Sequence, residues 1–258
     1  MRVTLLQTDI VWANPEANVR AAQQLFSEHP ESDLYVLPEM WSTGFVTDPV
    51  GIAQPEDTNI GRDWMIAAAH SPYPCAVCGS VPVIDADGHY RNRHYFIDAR
   101  TESIHYYDKH HLFTYGHEDS YYTPGDDQCC FEYEGVRFLL LTCYDLRFPV
   151  WARYSDKLPY DVIIVVANWP ENRQAAWQVL TRARAVENQC FLIGVNRVGN
   201  DPYSHYRGCS CVIDCYGKTL GQCRPNEVQA LTVDLDIEEL RRRRGKFRVL
   251  KDRDSFSV

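Results

Sequence analysis

Three unbroken apolar runs constrain this chain more than any other feature of its sequence. They span residues 138–141, 162–167 and 190–195, and none of them contains a charged residue. A strand with one face in solvent alternates apolar and polar residues, so runs of this kind are typical of strands buried on both faces. The fold therefore needs a layer of structure on each side of its sheet.

Amphipathic segments between these runs are expected to form the covering layers. Asn14-Pro15-Glu16 combines a capping residue, a proline suited to the first helical position and an early acid, which predicts a helix to about residue 29. A second helix is expected over roughly residues 60–70. A third is expected from about Arg173 to Glu187, with these side chains facing inward: Ala176, Val179, Leu180, Ala183 and Val186.

The remaining pattern predicts strands, hairpins and a charged helix near the carboxyl end. Asp87-Gly88 between two strand-like segments is typical of a β-hairpin. Strands separated by helices and hairpins indicate an α/β fold with a mixed sheet. Because around ten strands are expected, one open sheet would be large, and two stacked sheets covered by helices on the outside are favoured.

Net charge and hydropathy limit the kinds of partner that the protein is expected to bind. The chain has 35 Asp and Glu residues against 26 Lys and Arg, a net charge of −9, which disfavours nucleic acid and anionic membrane surfaces as partners. Its one basic run, residues 241–244, spreads its charges around a helix-like segment, as a solvated face or a partner contact does. The amino end has no apolar segment of signal-peptide length and no later stretch approaches a membrane span, so we expect a cytoplasmic protein.

The ten cysteines favour neither disulfides nor a metal site. In a reducing compartment they are expected to remain free thiols. Cys75 and Cys78 lie in an apolar run, and Cys209, Cys211 and Cys215 alternate along a strand-like segment. Neither group has the paired spacing of a zinc site, so no metal is expected.

Three chemically reactive residues follow strand-like segments in the same way. Glu39 comes after residues 34–37 and Pro38, Lys109 after residues 104–108, and Cys143 after the first apolar run and Thr142. If the three strands are parallel neighbours, their carboxyl ends bring an acid, an amine and a thiol to one pocket. A lone cysteine on a buried strand is usually an inert core residue. The prediction of a site at Cys143 therefore depends on the other two residues.

These residue types suit nucleophilic attack on a carbonyl carbon. The thiol must become a thiolate, which a nearby base or ammonium group promotes. Glu39 is the expected general base, and Lys109 keeps it ionised. The Lys109 ammonium and the backbone N–H of Tyr144 are expected to stabilise the oxyanion. His110 and His111 leave a Cys–His pair open as an alternative.

A series of segments along almost the whole chain carries a family resemblance. The segments are LPEM at residues 37–40, YDKHHLF at 107–113, CYDLRFP at 143–149, NWP at 168–170, RARAVENQ at 182–189 and VNRVG at 195–199. Together, in this order and spacing, they resemble the signatures of the nitrilase (carbon-nitrogen hydrolase) superfamily. The third segment and those after it are similar to its ω-amidase branch. At Asp201-Pro202 the chain departs from the Asp-Gly more usual in that branch.

The resemblance implies an α/β fold, namely a four-layer α-β-β-α sandwich with two mixed sheets and outer helices, formed by residues 1–258 as a single domain. It implies a catalytic triad of Glu39, Lys109 and Cys143, with no metal and no cofactor. Glu118 matches the place of a second glutamate near the triad, although a solvated loop acid is the alternative. The resemblance also implies self-association through the helical face, as a homodimer or a higher homo-oligomer.

The implied activity is hydrolysis of small ω-monoamides of dicarboxylates, such as 2-oxoglutaramate and 2-oxosuccinamate, through a cysteine thioester. The free carboxylate of such a substrate requires a cationic partner, for which Arg147 and Arg173 are the candidates. Tyr144 and Trp169 are candidates for the pocket wall. Structural ion pairs for the arginines and core packing for the aromatic residues are the alternatives.

Two other functions remain open from the sequence. An N-carbamoyl amino acid hydrolase, or another small-amide hydrolase of the superfamily, would share the triad and differ in its pocket. A catalytically silent assembly subunit would retain only the fold, and the intact Glu39, Lys109 and Cys143 argue against it.

Overall fold

The computed structural model describes residues 1–254, which form 15 strands and four α-helices. The helices are α1 (Pro15–Ser27), α2 (Ile60–Ala69), α3 (Gln174–Glu187) and α4 (Ile237–Lys246). The strands are β1 (Arg2–Gln7), β2 (Leu34–Val36), β3 (Gln54–Pro55), β4 (Ala76–Ile84), β5 (Tyr90–Asp98), β6 (Ser103–Asp108), β7 (Cys130–Tyr133), β8 (Val136–Thr142), β9 (Val162–Ala167), β10 (Phe191–Asn196), β11 (Val198–Asn200), β12 (His205–Arg207), β13 (Cys211–Ile213), β14 (Thr219–Gln222) and β15 (Gln229–Asp234). Within residues 1–254, no helix has the length and apolar character needed to cross a bilayer.

The strands form two large mixed sheets and a small hairpin. The first sheet has seven strands in the order β15-β1-β2-β4-β5-β6, with β3 beside β4, and the second has six in the order β14-β13-β10-β9-β8-β7. β11 and β12 pair separately. The hairpin predicted at Asp87-Gly88 is confirmed, because β4 and β5 pair antiparallel on either side of it. The sheets are mixed because β1, β2 and β4 run parallel, as do β8, β9 and β10.

The two sheets stack face to face, and helices cover their outer faces. Val3 and Leu5 of the first sheet belong to one buried cluster with Phe138 of the second. The next residue, Leu6, points the other way into a separate cluster with α1 and α2, as the alternation of side chains along a strand requires. Trp177 of α3 and the α4 residue Leu240 pack on the second sheet. The predicted four-layer α-β-β-α sandwich is confirmed.

The inward face of α3 differs from the prediction. Trp177 is buried, whereas Val179 and Val186 are 64% and 43% exposed. The cause lies at Gly194 of β10, where an added Cβ would come within 3.0 Å of the Trp177 ring. Since the bare glycine backbone admits the indole, Trp177 occupies the centre of the contact, and both valines fall on the opposite side of the helix.

The strands preceding the three reactive residues are not the neighbours that were predicted. β2 and β6 run in the same direction, but the β4–β5 hairpin separates them, and β8 belongs to the other sheet. Their carboxyl ends nevertheless meet, because the two stacked sheets place these ends at the same edge of the sandwich. The backbone N–H of Asn168, which follows β9, donates to the Glu39 carboxylate across the gap between the sheets.

Candidate active site

Cys143 lies at the end of β8, on a tight 3₁₀ turn. The strand is buried on both faces, as predicted, and the turn spans Cys143–Arg147. Cys143 has a φ of 45°, in the left-handed region that non-glycine residues rarely adopt. A strained backbone at a reactive side chain persists only where the surroundings hold it.

The buried carboxylate of Asp145 holds this turn. It accepts hydrogen bonds from the backbone N–H of Thr142 at 2.9 Å and the Tyr107 hydroxyl at 2.8 Å. It also accepts from the backbone N–H and the ring of His111, each at 2.9 Å. One acid therefore joins the turn after β8 to the segment after β6, which carries Lys109.

Glu39, Lys109 and Glu118 form a buried ionic cluster beside the turn. Lys109 Nζ donates to Glu39 Oε1 at 3.0 Å and to Glu118 Oε2 at 2.8 Å, and all three side chains are fully buried. Glu118 also accepts from the backbone N–H of Phe113 at 2.6 Å. The alternative of a solvated loop acid is therefore wrong for Glu118. The structure brings this residue to the triad candidates.

Burial and charge explain the protonation states in this cluster. Burial raises the pKa of the Cys143 thiol well above its usual value, the Glu39 carboxylate raises it further, and Lys109 lowers it only in part. Burial alone would lower the pKa of Lys109, but Glu118 and Glu39 outweigh it and hold that pKa above its usual value. Burial also raises the pKa of Glu118. Cys143 therefore rests as a thiol and needs a base, whereas Lys109 stays charged.

Two asparagines also donate hydrogen bonds to Glu39, and neither was among the predicted site residues. Asn92 Nδ2 donates to Glu39 Oε1 at 2.8 Å and to Glu118 Oε1 at 3.1 Å. The backbone N–H of Asn168 donates to Glu39 Oε2 at 2.8 Å, and its Nδ2 donates to the Glu39 carbonyl at 2.6 Å. Asn168 stands in the NWP segment quoted for the resemblance. Asn92 carries no comparable signal, because its neighbours Arg91 and Arg93 make the strand look exposed.

The two histidines after Lys109 have partners other than Cys143. His110 Nδ1 donates to the Gly125 carbonyl at 2.5 Å, and its ring stacks on Trp151. His111 is held by Asp145 and stacks on Phe148. The Cys–His alternative is therefore not supported.

Cys143 opens onto a cavity of about 520 Å³. The cavity is also lined by Tyr144, Arg147, Trp169 and Arg173, the four residues predicted for the oxyanion site and for substrate binding. Further aromatic lining comes from these residues: Phe45, Phe113, Tyr115, Tyr203 and Tyr206. A concave wall that combines aromatic side chains with polar and charged groups is typical of a small-molecule site.

Both arginines in the cavity lack an acidic partner in the described chain. Neither Arg147 nor Arg173 has a carboxylate within 4.0 Å in residues 1–254, so the alternative of structural ion pairs is wrong for both. Instead, the Arg147 guanidinium lies 5.0 Å from the Trp169 ring centroid, and that of Arg173 lies 5.1 Å from the Phe113 centroid. Two half-buried cations, neither of them paired with a carboxylate in residues 1–254, against one lining carboxylate at Asp201 give the cavity an excess of positive charge.

The β11–β12 hairpin forms another part of the cavity wall. It contains Asp201-Pro202, where the chain departs from the Asp-Gly more usual in the ω-amidase branch. Asp201 lies in the turn between β11 and β12, and its Oδ1 accepts from the backbone N–H groups of Tyr203 and Ser204, both at 2.7 Å. Its Oδ2 accepts from the Tyr206 hydroxyl at 2.5 Å. Side-chain hydrogen bonds thus shape the turn, and no residue of Asp201–Ser204 needs a positive φ.

Among residues 1–254, one group of three side chains lies close enough together to bind a metal ion, and this group lies outside the cavity. Asp85, Asp87 and His89 lie in the exposed β4–β5 turn, where Asp85 also pairs with Arg91 at 2.8 Å. All ten cysteines are free thiols.

The arginines of the basic run at residues 241–244 form ion pairs within the chain. Arg244 contacts Asp161 at 2.7 Å, and the other arginines of α4 contact further carboxylates.

Known proteins resemble this chain over nearly its whole length. The sequence profile of the carbon-nitrogen hydrolase family matches residues 2–244. A protein named omega-amidase YafV from Yersinia enterocolitica is 37% identical, over 99% of this chain and 98% of its own. A protein named 2-oxoglutaramate amidase from Bacillus subtilis is 33% identical, over 92% of this chain and 91% of its own.

A solved structure matches over the full chain. It is a protein of the CN-hydrolase superfamily from Xanthomonas campestris, described with an arsenic adduct in its active site. It is 34% identical, with a TM-score of 0.94 over 100% of this chain and 98% of its own.

Proposed function

This chain belongs to the carbon-nitrogen hydrolase family and is an amide-hydrolysing enzyme, and from this premise we propose that it cleaves ω-monoamides of short dicarboxylates, of the 2-oxoglutaramate and 2-oxosuccinamate type, to the acid and ammonia. The relatives named omega-amidase and 2-oxoglutaramate amidase support this substrate class. So does the electropositive cavity in front of Cys143.

The two cavity arginines, which have no carboxylate partner among residues 1–254, carry the proposal for the substrate. An ω-monoamide has a carboxylate at the end opposite the amide, and a guanidinium binds a carboxylate through paired N–H donors. Arg147 follows Cys143 by four residues, and Arg173 precedes the first turn of α3, which has no side-chain cap. The positive end of the helix adds to the attraction for an anion. With the carboxylate held there, the amide reaches toward Cys143.

The first half of the reaction forms a thioester. The Cys143 thiol gives its proton to Glu39 as Sγ bonds to the amide carbon, and the carbonyl oxygen becomes an oxyanion. Lys109 Nζ uses two of its three N–H groups on Glu39 and Glu118, so the third, with the backbone N–H of Tyr144, is available for that oxyanion. The C–N bond then breaks, and Glu39 returns the proton to the leaving ammonia.

The second half releases the acid. Water attacks the thioester carbon and gives a proton to Glu39, the C–S bond breaks, and the proton returns to Sγ. Glu118 holds Lys109 in place throughout, because the same ammonium bonds both carboxylates. The sum is one amide and one water converted to one acid and one ammonia.

Ammonia release from a panel of compounds tests this proposal. The panel contains ω-monoamides, uncharged amides of the same length, N-carbamoyl amino acids and nitriles. We expect ω-monoamides to have the highest kcat/KM and Cys143→Ala to be inactive, with a covalent mass increase on Cys143 during turnover of the wild type. Preference for N-carbamoyl amino acids would refute the substrate proposal, and full activity of Cys143→Ala would refute the nucleophile.

Arginine variants test the carboxylate site. Arg147→Met and Arg173→Met remove a charge at similar length, so KM for an ω-monoamide should rise about 10- to 100-fold, as for the loss of a charged hydrogen bond. KM for an uncharged amide should stay the same. Arg224→Met, at an exposed arginine paired with Glu227, is the matched control. Equal effects on charged and uncharged amides would contradict the role of these arginines.

We further propose that residues 1–258 act as one domain that self-associates through the outer helices, in the cytoplasm and without nucleic acid or membrane partners. The family match over residues 2–244 supports the single domain. The exposed Val179 and Val186, seven residues apart on the outer side of α3, support an interface there.

A further inference from the structure

Asn92 of β5 is the one uncharged side chain among the described residues that bridges the two buried glutamates. It is 1% exposed, and its Nδ2 donates to Glu39 Oε1 at 2.8 Å and to Glu118 Oε1 at 3.1 Å. The two N–H groups of one amide therefore serve two carboxylates. A neutral donor can do this without adding a second positive charge beside Lys109.

The orientation of this amide is determined by the groups at its two ends. The backbone N–H of Met40 donates to Ser80 Oγ at 2.9 Å, and a backbone N–H can only donate. At the glutamate end, ionised carboxylates can only accept, so the amide presents Nδ2 to Glu39 and Glu118. Its Oδ1 then faces Ser80 and accepts the hydroxyl proton at 2.8 Å, which holds this orientation. The chain of bonds begins at Met40, the residue next to Glu39.

A count of acceptor sites on Glu39 then identifies its basic atom. Oε1 receives two donors, Lys109 Nζ at 3.0 Å and Asn92 Nδ2 at 2.8 Å, which occupy both of its lone pairs. Among the described residues, Oε2 receives one donor, the backbone N–H of Asn168 at 2.8 Å. One lone pair of Oε2 remains for the proton of Cys143.

We propose that Asn92 is a positioning residue, held by Ser80, that makes Oε2 the proton-accepting atom of Glu39 and holds Glu39 and Glu118 side by side through one shared donor. This inference rests on the proposed roles of Glu39 and Cys143. Without Asn92, Oε1 has a vacant lone pair, so a proton can reside on Oε1 in place of Oε2. The two carboxylates also lose a shared donor and repel each other with less compensation.

The pH dependence of Cys143 alkylation by iodoacetamide tests this role without a substrate. The rate is followed by mass spectrometry of the peptide that contains Cys143, in the wild type and in Asn92→Leu, which has similar volume and no donor. In the wild type the rate should fall as the pH falls, because alkylation requires that the Cys143 thiol give up its proton. In Asn92→Leu the midpoint of this fall should move up by about one pH unit, because a carboxylate that loses a donor binds a proton more tightly. kcat/KM should fall about 10- to 100-fold.

Two further variants separate positioning from folding. Ser80→Ala keeps the Asn92 donor but not its orientation, so the midpoint should move the same way by less, and it should not move further when Ser80→Ala is added to Asn92→Leu. Asn59→Leu is the matched control, since Asn59 is a buried amide that bonds the Pro82 carbonyl beside the same strand and caps α2. It should lower Tm without moving the midpoint.

The outcomes distinguish this inference from the proposed function. An unmoved midpoint in folded Asn92→Leu and Ser80→Ala overturns the positioning role, even if ω-monoamides are hydrolysed. A moved midpoint in an enzyme that hydrolyses no ω-monoamide supports the positioning role and refutes the substrate proposal. Equal shifts in Asn59→Leu and Asn92→Leu would mean that general destabilisation is the cause.

Discussion

Glu118→Gln should separate activity from stability in this enzyme. The wild-type carboxylate receives three donors, from Lys109, Asn92 and the backbone of Phe113. A glutamine can accept only at its single oxygen, which would take the place of Oε2 facing Lys109 and Phe113. Its NH₂ group then meets Asn92 Nδ2, donor against donor. Turning the Asn92 amide would not help, because Oδ1 would then face the Glu39 carboxylate and the bond from Ser80 would be lost.

The expected change in stability is small because two large contributions oppose each other. At an effective dielectric constant of about 20, charges 2.8 Å apart attract by about 6 kcal/mol, which the variant loses. It also avoids the burial of a carboxylate, which costs several kcal/mol. We expect a net change of less than about 2 kcal/mol in the free energy of unfolding, or less than about 8 °C in Tm.

The expected change in activity is large. Glu118 is one of two carboxylates that orient the Lys109 ammonium, and a misplaced oxyanion donor costs about 10²- to 10³-fold in kcat. Ammonia release should therefore fall by that factor with little change in KM. Glu171→Gln, at an exposed acid beside the cavity, is the control and should keep wild-type kcat. A kcat for Glu118→Gln within threefold of wild type would refute the role assigned to Glu118.

The same variant has a pH signature. Because burial raises the pKa of Glu118 in the folded state, the folded state holds this proton more tightly than the unfolded state. The folded protein therefore loses stability as the pH rises from 4.5, the ordinary pKa of a glutamate, through the raised pKa of Glu118. Urea unfolding of wild type and Glu118→Gln should show the wild type losing stability relative to the variant across this window, and a constant difference would contradict the argument.

Three other variants probe the turn, the core and the outer helices. In Asp145→Asn an NH₂ group faces N–H donors whose hydrogen bonds the carboxylate accepts in the wild type. Both kcat and Tm should therefore fall, with a loss of about 1–3 kcal/mol in the free energy of unfolding. An unchanged Tm would show that Asp145 does not support the turn. Burial lowers the pKa of His94 to about 3, so its stability contribution is present above pH 6.5 and is lost as pH falls towards 3; His94→Gln should remove about 2–3 kcal/mol of the stability difference between pH 7 and pH 4.5, measured by urea unfolding, and an unaltered pH dependence would contradict this. Val179→Glu with Val186→Glu should shift sedimentation velocity to a smaller species than the wild type, and identical sedimentation would argue against the α3 interface.

The layers of the fold and the reactive residues could be predicted because both leave a local pattern. Apolar runs such as Val162–Ala167 indicate burial on both faces regardless of which strands pair. Lys109 and Cys143 stand directly after a strand and Glu39 stands three residues after one, and the order of the family segments points to them together. The wrong detail was the arrangement of their strands as parallel neighbours. The pairing of strands is a long-range property, and the β4–β5 hairpin that separates β2 from β6 leaves no mark near either of them.

The supporting residues could not be predicted, because their roles depend on register. Asn92 reaches the glutamates only because β4 and β5 pair so that Ser80 meets its amide oxygen. The inward face of α3 was wrong for a related reason. Arg184 is 3% exposed and donates to the Leu146 carbonyl at 2.7 Å, which no hydrophobic pattern indicates.

The position of the site between two sheets has a consequence for how the chain folds. Glu39 and Asn168, which share two hydrogen bonds, lie 129 residues apart in sequence, and Glu39 and Lys109 lie 70 apart. Contacts of such separation form late, because the entropy of closing long loops must be overcome first. In refolding, catalytic activity should therefore return with the slowest step, the docking of the sheets, and not with the earlier recovery of secondary structure. Each active molecule is thus one whose folding is complete.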